Sequence, residues 1–306
     1  MSAESLNEVC QVDEPMVDNP EKCEEGGQTD NNEEPKRKKR RGVYPTFADL
    51  AAIFGVFVIL QVIVALVAKL SISHIVPALD PELEVSTVLL ITQVVSMILT
   101  FVFVVWNRRS RGAEKIALRF SFKGFDPMIL LGGILMAISC SVVIEPLLSL
   151  LPSPMPMNAS GWPLMIAVVV CAPLFEEILC RGFIFEAMRA KGGVIVAWLG
   201  SSLFFGLLHL DPVMVVYAFF LGLILCYIYI RSGSLIAPII IHAFNNAVAY
   251  LFIVIGFGEN VLLKDLIKNE NIYYVVYGVA VLILIVSSVM CARQFKKIIN
   301  AKKSTK

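Results

Sequence analysis

Eight stretches of the chain, near residues 47–68, 86–106, 127–151, 162–180, 194–210, 213–230, 235–256 and 272–292, are apolar over most of their length. Shorter segments holding charge, proline or glycine separate them. A helix of roughly 20 mainly apolar residues crosses the hydrocarbon layer of a bilayer. No water is available there to bond an open backbone, so a helix satisfies its own peptide groups where a lone strand cannot. The pattern therefore predicts an all-α, polytopic membrane bundle with about eight transmembrane helices. Residues 1–35 read differently: they are polar, rich in Asn, Glu and Gly, and nearly free of aromatics. Such a segment buries too little apolar surface to offset its ordering entropy and is expected to be a disordered tail.

Composition sharpens this picture. Of the 306 residues 57% are hydrophobic and only 17% charged, against about a quarter charged in soluble domains. The net charge of +1 conceals a segregation, because eleven of the 25 acids lie within residues 1–35. The first apolar run begins only after residue 45 and lacks a small-residue cleavage pattern, so no removable signal peptide is expected. The seven cysteines are spread through the acidic tail and apolar runs, with neither a disulfide framework nor zinc-knuckle spacing. Beside a membrane helix, Lys36–Arg41 reads as a topology anchor, and no nucleic-acid partner is expected. The 107–123 loop, the 181–193 stretch (Arg181, Arg189, Lys191), Arg231 and the basic C-terminus fall on the same side of the predicted bundle. The intervening loops are acidic, neutral or balanced. By the positive-inside rule both termini are cytoplasmic, in the plasma membrane if the source is bacterial. Asn158-Ala159-Ser160 matches a glycosylation sequon that chance also supplies.

Ionisable groups at mid-membrane cost about 2.5–3.5 kcal/mol each even on lenient scales, so those that occur are candidates for function. The fourth span runs apolar from Trp162 to Phe175 and then reads Glu176-Glu177-Ile178-Leu179-Cys180-Arg181. Glu177 and Arg181, four apart with the acid first, share a helix face and form an expected ion pair. Glu176 is rotated about 100° away and faces something else. His209 ends the fifth span after Phe205, and His242 shares a face of the seventh with Asn246. One Glu, two His and one Asn from three helices suit the orientation and deprotonation of a water and the stabilisation of an oxyanion. A cysteine–histidine pair at local spacing, a Gly-Xaa-Ser-Xaa-Gly elbow and a His-Glu-Xaa-Xaa-His motif are all missing from the sequence.

The motifs Glu176-Glu177-Xaa-Xaa-Xaa-Arg181, Phe205-Xaa-Xaa-Xaa-His209 and His242-Xaa-Xaa-Xaa-Asn246 resemble, in order and placement, those of the CAAX-protease and bacteriocin-processing intramembrane proteases, the Abi family. The resemblance covers roughly residues 127–256, the expected catalytic core. Residues 42–126 contribute two further helices and a basic loop, and 257–306 an outer loop, a last helix and a basic tail. The resemblance implies that Glu176 activates water with His209, and that His242 and Asn246 form the oxyanion-stabilising pair. It gives Glu177 and Arg181 structural or substrate-contacting roles and Phe205 a packing role. The implied substrate is a membrane-associated peptide or protein: a prenylated CAAX protein, a peptide pheromone or a bacteriocin-like peptide. A metal-free mechanism is favoured, with Glu176, His209 and His242 as the ligand set if Zn²⁺ is used.

Two other functions stay open at this stage: a non-catalytic scaffold or self-immunity protein of the same fold, and a proton- or ion-coupled transporter. The helix register also raises a conflict. Counting 1.5 Å per residue from the basic side puts His242 about 10 Å deep and His209 more than 20 Å deep. The conflict is removed if the fifth and sixth spans form a short, tilted hairpin turning at Leu210-Asp211-Pro212.

Overall fold

The computed structural model describes residues 44–113, 115–122, 126–152, 159–256 and 262–304. The acidic tail, Lys36–Arg41, Lys123 and Asn158 lie outside the described residues, as do the side chains beyond Lys296. Helices form all the regular structure that is described: α1 (Phe47–Ile75), α2 (Pro81–Ser110), α3 (Pro127–Leu148), α4 (Gly161–Leu207), α5 (Pro212–Ser232), α6 (Ile236–Val254), the single turn α7 (Leu263–Leu266) and α8 (Glu270–Ser304). All except α7 are long and apolar enough to cross a membrane. The chain is an integral membrane protein built as a polytopic helical bundle.

The helix starts have a common chemical origin. Asp80, Asp126 and Asp211 each precede a proline and accept hydrogen bonds from backbone N–H groups in the first turn of α2, α3 and α5. The carboxylate satisfies otherwise orphaned donors, while the proline, which has no N–H, supplies the helical φ. Thr46 and Asp49 form a reciprocal capping box at α1. Asp211 is thereby accounted for: its Oδ1 accepts from Val213 and Met214 at 3.0 Å, so it caps α5 at the hairpin turn.

The fourth and fifth predicted spans emerge as one helix, α4, with no loop at 181–193. Its α-geometry is interrupted by two π segments, Ile166–Cys171 and Ile178–Phe185, and by a sharp break at Gly193, where φ is +81°. A side chain there would be strained, and glycine is not. Arg181, expected among the basic loop residues, is instead fully buried inside α4. Beyond the break, residues 194–207 rise only about 21 Å, short of the roughly 30 Å hydrocarbon layer. They turn back through Leu208–Asp211 into α5, giving the expected hairpin. The two limbs touch at Gly206, where an added Cβ would lie 2.7 Å from the Val215 carbonyl oxygen. Small residues at such crossings let the backbones approach closely.

The core lies among α4, α5 and α6. In α5, 61% of the apolar window is buried within the protein, against 11% in α1 and 6% in α8, which marks α5 as central and the other two as lipid-facing. Polar contacts group the basic segments at one end of the bundle. Lys191 Nζ donates to the Pro45 carbonyl at 2.8 Å, Arg111 pairs with Asp49 at 3.1 Å, and Leu235 N–H donates to the Arg119 carbonyl at 2.8 Å. At the other end, Ser160 bonds Ser86 and Glu82, joining the starts of α2 and α4.

Gly206→Ala is expected to lower stability by about 1–3 kcal/mol through overpacking against backbone, read as a reduced melting temperature in detergent. Gly132→Ala, where an added Cβ meets nothing within 4 Å, should leave it unchanged or slightly higher.

Candidate active site

The two carboxylates sit in Ala172–Glu177, a short α segment between the two π segments of α4. Single π turns within α-helices are rare and cluster at functional sites. Because the segment holding both acids keeps α-geometry, Glu176 and Glu177 diverge as the 3.6-residue period requires. Glu177 and Arg181 form the expected pair, Nη1 to Oε1 at 2.6 Å, with both side chains fully buried. Arg181 also donates through Nη2 to the Gly222 carbonyl of α5 at 2.9 Å. Its guanidinium lies 4.6 Å from the centre of the Phe205 ring, a cation–π geometry strengthened by desolvation. One side chain thus ties α4 to both limbs of the hairpin.

The same Oε1 of Glu177 faces His242 Nδ1 of α6 at 3.2 Å. A carboxylate can only accept, so Nδ1 carries the proton and Nε2 is left toward the site. Nε2 stands 3.9 Å from Glu176 Oε2, beyond direct hydrogen-bond range. Glu176 Oε1 accepts from Gln93 Nε2 of α2 at 3.4 Å. Its Oε2 is buried and makes no hydrogen bond to the protein. Such groups are few in folded proteins and call for an explanation.

His209, on the hairpin turn, has Nδ1 3.1 Å from the Phe205 carbonyl, an acceptor, so its Nε2 is also unprotonated in the neutral ring. Phe205 stands edge-on to both imidazoles, with ring centres 5.3 Å apart in each case. The two histidines that the simple register separates are therefore both brought into contact with one ring. Asn246, one turn beyond His242, donates through Nδ2 to the Val168 carbonyl at 2.8 Å. The arrangement sets His242 against Glu176 directly, and brings His209 to the site by way of Phe205.

Residues 158–248, which contain all three motifs, match a family model described as "Type II CAAX prenyl endopeptidase Rce1-like". Through this segment the chain is similar to the CAAX-protease family. It is also similar to a Bacillus subtilis (strain 168) protein named "Putative membrane peptidase YdiL", with 34% identity over 85 residues. The matched region is 28% of this chain and 35% of that protein's length. No solved structure matches the chain.

The matched segment coincides with α4 to α6, while Gln93 comes from α2, outside it. In the sequence Gln93 stands out only as an amide in the middle of an apolar span, and none of the three motifs includes it. Among the described residues no group of three His, Cys, Asp or Glu side chains is placed to hold a metal ion.

Breaking a buried ion pair strands a charge, at about 3–5 kcal/mol. Arg181→Leu is therefore expected to lower the melting temperature and the yield of folded protein more than any substitution on the lipid face of α8. Equal stability of the two would show that Glu177 does not depend on Arg181.

Proposed function

We propose that the chain is an intramembrane endopeptidase in which Glu176 activates a water molecule for attack on a peptide carbonyl. The observation that carries this reading is the buried Glu176 Oε2, unbonded to the protein and facing His242 Nε2 across 3.9 Å. A gap of that size suits one bridging water. Gln93 holds the other carboxylate oxygen and leaves Oε2 aimed at the water.

In the proposed step Glu176 takes a proton from water as the hydroxide oxygen bonds to the scissile carbon. The oxyanion accepts from Asn246 Nδ2–H, whose second hydrogen is held by Val168. His242 Nε2 helps align the water through its lone pair. Glu176 then returns its proton to the leaving amine, the carbon–nitrogen bond breaks, and the carboxylate is restored. His209 Nε2 serves on the substrate side as an acceptor or proton relay, positioned through Phe205.

The family description and the name of the Bacillus relative support a membrane-associated peptide or protein of the CAAX kind as substrate, while the pheromone and bacteriocin-like alternatives rest on the motif resemblance alone. The grouping of basic segments at one end of the bundle supports cytoplasmic termini.

Glu176→Gln keeps the shape and removes the base. It should lower kcat/KM on a library of prenylated and unmodified peptides by about 10³-fold or more, with the melting temperature held. Full cleavage by that variant would contradict the reading. Loss of wild-type cleavage in chelator and its return with zinc would turn Glu176 from base into ligand. Gln93→Leu should cost roughly tenfold in kcat by freeing the carboxylate, measured on the same peptides.

A further inference from the structure

Asn246 can serve an oxyanion only if its amide nitrogen, and not its oxygen, faces the site, and the local geometry supplies a reason for that polarity. In an α-helix the Val168 carbonyl would accept from Ala172 N–H. In the π register, Ala172 N–H bonds instead to Ala167 O. The residue five beyond Val168 is Pro173, which has no N–H. Val168 is left with an acceptor and no backbone donor in register, and Asn246 Nδ2 fills it at 2.8 Å.

A backbone carbonyl can only accept, so this contact fixes the amide: Nδ2 toward Val168, Oδ1 away. Oδ1 then needs a donor, and Asn245 Nδ2 lies 3.3 Å from it. Asn245 Oδ1 in turn accepts from the Tyr217 hydroxyl of α5 at 2.8 Å. Ser141 of α3 lies 3.2 Å from that hydroxyl. All four polar side chains stand within otherwise apolar helices, where an unbonded polar group is costly.

We propose that Tyr217 and Asn245 are positioning residues that hold the Asn246 carboxamide with its nitrogen toward the oxyanion. The polarity runs one way, from the Tyr217 hydroxyl through Asn245 to Asn246 and on to the carbonyl that Pro173 leaves free. A flipped Asn246 would set its oxygen against Val168 O and present a lone pair to developing negative charge. The catalytic part of this proposal rests on the oxyanion role of Asn246 given above, but the hydrogen-bonded order of the amides does not.

Two readouts separate these parts in the full chain, labelled with ¹⁵N-asparagine and held in lipid nanodiscs. The side-chain amide signal of Asn246 is assigned by its loss in Asn246→Ala. Tyr217→Phe should shift that signal, and a folded Tyr217→Phe protein with an unmoved signal overturns the proposal. Asn245→Ala provides the same test if Tyr217→Phe does not fold. In peptide cleavage, Tyr217→Phe should lower kcat about tenfold with KM unchanged, and should cost nothing further in an Asn246→Ala background. Additive losses there would overturn the positioning role and leave Tyr217 as a packing residue. If Asn246→Ala keeps full activity, the oxyanion reading fails, and the amide shift alone decides whether the amides are ordered by Tyr217.

Discussion

The interaction on which the site depends is the fully buried ion pair between Glu177 and Arg181. A lone charge in this environment is prohibitive, so neither partner can leave without the other. Arg181 spends its remaining reach on the Gly222 carbonyl and the face of Phe205, which binds the α5 hairpin to α4. Glu177 spends its Oε1 on His242 as well, which fixes the tautomer and heading of that imidazole. The pair so converts one helical spacing into the placement of α5, α6 and the second limb of α4. The neighbouring Glu176 keeps its Oε2 unbonded to the protein and facing His242 Nε2.

Around that pair, departures from α-geometry set the rest. The π segments on either side of Ala172–Glu177 and the proline at 173 break the regular ladder where it would otherwise use every carbonyl. The carbonyl so released is the one that takes Asn246. The break at Gly193 shortens the next limb and lets its end, with Phe205 and His209, turn back within the bundle. Asp211 makes that turn tolerable by capping α5.

Much of this was legible in the sequence because membranes impose strict rules. Apolar length gave the helices to within a few residues at most ends, and the isolated charges gave Glu176, Glu177, Arg181, His209 and His242. The i,i+4 spacing gave the ion pair. What the spacing could not give was α4 itself: Arg181 and Lys191 looked like one basic loop, yet Arg181 lies in the core and Lys191 at the surface end, on a single continuous helix. Nothing in a hydropathy pattern distinguishes a π turn from an α turn, so the freed carbonyl of Val168 was invisible. Gln93, Tyr217 and Asn245 were visible only as single polar residues in apolar runs. Such residues carry no motif, and their partners are fixed by helix packing over separations of 28 to 83 residues.

The central claim, that the ion pair exists to set His242 against Glu176, is tested most directly by removing both charges together. A Glu177→Leu, Arg181→Leu double variant strands neither charge and should recover much of the stability that either single change loses. The account predicts a folded protein whose kcat on a cleavable peptide falls by roughly a hundredfold, because His242 has lost the group that orients it. A folded double variant with wild-type turnover would contradict it.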